Sequence, residues 1–258
     1  MRHPPENCLN QTQIFMPSNS ETGHAKNADN FEKIISFIMG YGANFNPSKT
    51  SIKTPALNAQ LLQARADIAA VGTKTVAFNN TVNARAIIFA PVQPLATRII
   101  NAFIATDASD EAIKDARTIV RKIQGKRAKP KDTPTDPNAP APNNISASQQ
   151  SYDQQVEHFS ALLEIVKAEP SYAPNENDLK VATLTTQLAG LKTANTNVNN
   201  AYTAVSNARI ARDKTLYKPT TGVHDVVADI KSYVKSAFGA TSPEFKQISK
   251  IAIKKIEQ

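Results

Sequence analysis

Four histidines, one cysteine and a dense basic run are the residues from which chemistry would have to be built. His3, His24, His158 and His224 are far apart. Glu21-Thr-Gly-His24 has the Glu-x-x-His spacing that supplies di-metal ligands in four-helix bundles, but such a site needs a second pair and two further glutamates on facing helices. The chain has Tyr152 where a second His24 would align. Cys8 has no second cysteine with which to form an internal disulfide or a metal site. Nucleophile elbows, phosphate-cradling glycine loops, HExxH and paired CxxC motifs are missing. These patterns argue against an enzyme and imply no catalytic residue, metal, cofactor or small-molecule substrate.

Charge is the second signal. The chain has 258 residues and a net charge of +8, yet Arg117, Arg121, Lys122, Lys126, Arg127, Lys129 and Lys131 crowd together with no acid among them. That run is a candidate contact for nucleic acid or another polyanion, whose binding would weaken with salt. No aromatic side chain interleaves it, as a base-reading surface would require. A solubilising tether is the plainer reading. Lys246, Lys250 and Lys254 read as an ordinary solvated helix face.

The elements that hold these residues follow from pattern and punctuation. Residues 124–150 contain Pro130, Pro134, Pro137, Pro140 and Pro142. Proline removes backbone donors and blocks helix, so this is a Pro-rich basic linker. Residues 1–23 read as a flexible N-terminal segment. The stretches on either side of the linker, 24–123 and 151–258, echo each other in order, the signature of an internal repeat. "NFEKIISFI" at Asn30 parallels "HFSALLEIV" at His158. Tyr41-Gly-Ala-Asn parallels Tyr172-Ala-Pro-Asn, Asn83-Ala-Arg85 parallels Asn207-Ala-Arg209, and "AFIATDAS" at Ala102 parallels "AFGATSPE" at Ala237.

Within each half one heptad seam stands out. Leu57, Leu61, Ala64, Ile68, Val71, Thr75, Phe78, Val82, Arg85 and Phe89 recur at spacings of four and three. So do Leu184, Leu188, Leu191, Asn195, Val198, Tyr202, Val205, Arg209, Arg212 and Leu216. Such spacing lets long helices pack side by side. Each half then reads as four helices: a short one (24–39; 151–168), a long one (54–89; 176–217), a third, and a fourth. The fourth carries Ile113, Ala116, Val120 and Ile123 in the first half, and Phe245, Ile248, Ala252 and Ile256 in the second.

The predicted fold is all-α, two tandem, elongated, coiled-coil-like four-helix repeats related by duplication. Arg85 and Arg209, on or beside the seam, are candidate partner contacts, with structural pairing the plainer reading. Asn195 is a candidate register-fixing seam residue.

Several stretches, among them "PLATRIINAFIATDAS", "SYAPNENDLKVATLT" and "KSYVKSAFGATSPEFKQISK", resemble a family of uncharacterised helical proteins from bacteria of the Bacteroides–Flavobacterium group. The likeness covers most of residues 24–254 and implies a bacterial helical protein with no catalytic residue to carry over. No 18-residue apolar run or secretory h-region is evident, so the expected location is cytoplasmic, without a membrane partner. Together these readings predict a non-enzymatic structural or protein-interaction protein that binds a protein partner or itself. The alternative is a polyanion-associated protein working through 117–131.

Overall fold

The computed structural model describes residues 19–126 and 150–256. Among these the protein is all-α, with no strand: α1 (Asn19–Gly40), α2 (Thr54–Phe89), α3 (Val92–Ile104), α4 (Asp110–Ile123), α5 (Tyr152–Ala168), α6 (Val181–Tyr217), α7 (Val223–Phe238) and α8 (Pro243–Ser249). Asn19–Gly23 are helical, so α1 begins inside the stretch expected to be a flexible segment. The rest of that stretch, and most of the linker, lie outside the described residues.

Local chemistry explains most boundaries. Ser109, Ser151 and Ser242 cap α4, α5 and α8, each hydroxyl accepting a hydrogen bond from the backbone N–H three residues on. Pro243 occupies the first turn of α8, where its missing N–H costs nothing. Gly239 follows α7 with φ +97°, a conformation that favours glycine. The 36 residues of α2 extend about 54 Å.

The chain forms two compact units, and they are not the two halves of the sequence. The first spans Met1–Thr73 and Ser206–Gln258, the second Lys74–Val205. The first unit therefore takes α1 and the start of α2 from one half, and the end of α6, α7 and α8 from the other. Its core gathers Phe31, Ile34, Ile38 and Leu57 with Leu216, Val227, Ile230, Val234 and Ile248. The second takes the end of α2, α3 and α4 together with α5 and the start of α6. Its core gathers Ile99, Phe103, Val120 and Ile123 with Phe159, Leu162, Leu184 and Leu191.

The landmark words meet across the halves. In the first unit the Tyr41 ring lies 5.3 Å from Phe238; in the second, Phe103 lies 6.1 Å from Tyr172. Of the seam residues, Leu57, Leu61, Ala64, Val71 and Phe89 on α2 are buried, as are Leu184, Leu188, Leu191, Asn195, Val198, Val205, Arg212 and Leu216 on α6.

One expectation needs correction. The fourth helix of the second half was expected to carry Ala252 and Ile256 on its apolar face. Instead α8 stops at Ser249 and residues 251–256 run without helix. Within Thr54–Ile104, an 18-residue window reaches a mean hydropathy of 1.5, with 39% of it buried. By length and composition alone that is enough to cross a membrane.

Candidate interaction site

The predicted site residues fall in different places. Arg117, Arg121, Lys122 and Lys126 are exposed, along α4 and just past its end. Cations there also complement the negative end of the helix dipole. Arg127, Lys129 and Lys131 lie outside the described residues. The two ends of the presumed linker are neighbours inside the second unit: the Gln150 side-chain amide donates to the Lys122 carbonyl at 2.6 Å. Near these cations His158 is buried, and burial together with the Lys122 charge pushes its pKa below the ordinary histidine value.

The three seam candidates are not brought together. The Arg85 guanidinium stacks 4.0 Å above the Tyr152 ring centroid, a cation–π contact that anchors α5 to α2. Asn195 is buried and donates to Asp153 at 2.8 Å, also tying α6 to α5. Arg209 is exposed. The buried arginine of α6 is Arg212, 0% exposed, donating from Nε to Asp213 at 2.9 Å. The seam register pairs Arg85 with Arg212, one turn from the Asn-Ala-Arg match, and that register was the signal that could have found it.

An open cleft of about 520 Å³ in the second unit is lined by Arg98, Asn101, Thr106, Tyr172, Asn175 and Glu176. Its one arginine is committed to Asp178 through two hydrogen bonds, which hold the Asp178 carboxyl below its usual range. Among the described residues, no group of three or more His, Cys, Asp and Glu could hold a metal ion. His24 of the Glu-x-x-His motif is fully buried, its Nδ1 2.7 Å from the Tyr217 hydroxyl.

The most specific polar arrangement surrounds the segment after α8, and sequence reading missed it. Asn27 of α1, 3% exposed, clamps the backbone of Lys254 from both sides. Its Nδ2 donates to the Lys254 carbonyl at 2.7 Å, and its Oδ1 accepts from the Lys254 N–H at 3.1 Å. The same Nδ2 reaches the Tyr217 hydroxyl at 2.8 Å. Asn30 donates to the Ala252 carbonyl at 3.0 Å. From α7, Lys231 donates to the carbonyls of Ser249 and Ile251 at 3.1 and 2.5 Å. Burial lowers the Lys231 pKa.

Alternation completes the seat. Ile253 is buried in the first unit's core and Ile251 packs against that core, while Ala252 and Lys254 face water. A Cβ added at Gly23 would stand 2.5 Å from Ile256 Cδ1, so α1 approaches the segment closely there. The groove between α1 and α7 thus reads an extended chain by its backbone and by isoleucines two apart, the logic of extended-peptide recognition.

No protein family, curated protein or solved structure matches this chain.

Proposed function

We propose that this is a non-enzymatic structural or interaction protein, located in the cytoplasm, built from duplicated helical halves and working by association with protein, a second copy included. The observation that carries the reading is a set of large apolar side chains left in water on α2 and α6. In the first unit Leu62 is 69% and Ile210 63% exposed; in the second, Ile87 is 73%, Tyr202 63% and Val76 60% exposed. Contiguous exposed apolar patches mark protein-contact sites, and these side chains on α2 and α6 are the positions offered for one. Reciprocal pairing of the landmarks, Tyr41 with Phe238 and Phe103 with Tyr172, supports duplication.

A second reading, polyanion binding through the basic run, is favoured by the exposure of Arg117, Arg121, Lys122 and Lys126. Light scattering after gel filtration separates the two. Self-association predicts a molar mass above 28.0 kDa that survives high salt and survives charge reversal across 117–131. Polyanion binding predicts a monomer that captures nucleic acid, with affinity falling steeply as salt rises.

A further inference from the structure

Residues 251–256 sit in the α1/α7 groove as a ligand sits in a receptor. Five backbone atoms of Ser249, Ile251, Ala252 and Lys254 are engaged by side chains of α1 and α7. No helical hydrogen bond ties residues 252–256 to α8, which ends at Ser249. The seat therefore recognises a non-helical segment with apolar side chains two apart, which follows α8 through the turn at Lys250.

We propose that the α1/α7 groove is a docking site for residues 251–256 of a second copy of this chain, and that exchange of this segment links copies together. The proposal rests on the self-association reading and names its site. Its energetics are simple. The clamp bonds and buried isoleucines are the same whether the segment comes from the same chain or another, so exchange loses no contact. What favours the chain's own segment is the high effective concentration given by covalent attachment, which rising protein concentration offsets. Each chain has one groove and one segment, so a one-way exchange is a head-to-tail contact and a mutual exchange closes a dimer.

The seat in the second unit lacks this property. There α4 continues to Ile123, with Ala116, Val120 and Ile123 all buried, and between its two ends the backbone is bonded within the helix. Detaching it would expose the unit's core.

The test uses full-length chains carrying Cys8→Ser. One bears Gly23→Cys and the other Ile256→Cys, positions the structure brings together. Mixed and gently oxidised, they are expected to yield a disulfide-linked dimer of twice 28.0 kDa, rising with concentration. Excess synthetic peptide of residues 249–258 should suppress it, and Ile253→Asp in the Ile256→Cys chain should abolish it. Absence of the mixed dimer, or indifference to the peptide, would overturn the proposal. A second readout needs no altered groove: labelled peptide 249–258 should bind the wild-type chain saturably and lose that binding to an Asn27→Ala chain. Oligomers by light scattering without the Gly23–Ile256 cross-link would remove segment exchange and leave self-association standing. A 28.0 kDa species at every concentration would remove both.

Discussion

The two units solve one packing problem differently. In the second, α5 is covered by a 14-residue helix, α4; in the first, α1 is covered by the 7-residue α8 and then by an extended segment. In α4 most backbone groups are satisfied by the helix itself, and Ala116, Val120 and Ile123 are buried in the core. In the segment 251–256 the backbone polar groups must find partners elsewhere, and Asn27, Asn30 and Lys231 supply them. Buried backbone groups need such partners. The contrast is between a helix that bonds its own backbone and a non-helical segment whose backbone is held by side chains of other helices.

The largest effect that sharpens this contrast is expected from Ile123→Ala. Ile123 is fully buried in the second unit's core, and its truncation should cost about 2–5 kcal/mol, read as a lower urea midpoint. Ile253→Ala should cost less, because Ile253 lies at the edge of its core, 7% exposed against 0% for Ile123. Equal losses would break the distinction between the two seats.

Next in size is Asn27→Ala. It removes both hydrogen bonds to Lys254 and one to Tyr217, an expected loss of about 1–3 kcal/mol. Hydrogen exchange at the Lys254 amide should accelerate strongly, while amides in the middle of α4 keep their protection. Uniform acceleration through both units would mean that the segment is as integral as α4.

Helix capping comes third. Ser109→Ala and Ser242→Ala each remove one cap bond, at about 1 kcal/mol. In α8 the loss should appear as fraying of the whole short helix and looser seating of 251–256, measured by exchange at the Ile251 and Lys254 amides. In α4 it should stay within the first turn.

At neutral pH the smallest effect concerns the two landmark tyrosines. Burial pushes Tyr172 up to about 12, and burial also raises Tyr41. The folded state therefore holds each proton more tightly than the unfolded state does. The associated stability is complete below pH 10 and is lost as pH climbs from about 10 toward 12. Tyr172→Phe should flatten that decline in alkaline denaturation curves more than Tyr41→Phe does.

Much of the helical frame was legible in the sequence. The heptad seam and Pro91 place α2 at Thr54–Phe89, the bounds observed. The caps at Ser109, Ser151 and Ser242 were less legible, because other serine, threonine or aspartate residues crowd each of those loops. Partnership was not legible, because which helix covers which is a long-range choice that local periodicity does not encode. The grouping of α1 with α7 and α8, rather than with its own half, is of this kind. Residues 248–256 carry two periods at once: Ile248, Ala252 and Ile256 fit a helix, while Ile251 and Ile253 fit a strand. Asn27, more than two hundred residues away, matches the extended form through the Lys254 backbone. Arg212 was hidden for a related reason. The repeated Asn-Ala-Arg words drew attention to Arg209, whereas the buried face follows the seam register.

The most direct test of the central claim, that copies associate through the α1/α7 groove, is the molar mass of the wild-type protein across a concentration series at high salt, with and without peptide 249–258. The account predicts a mass that rises above 28.0 kDa with concentration and falls back toward it as peptide is added. A mass fixed at 28.0 kDa, or an oligomer that the peptide leaves untouched, would contradict it.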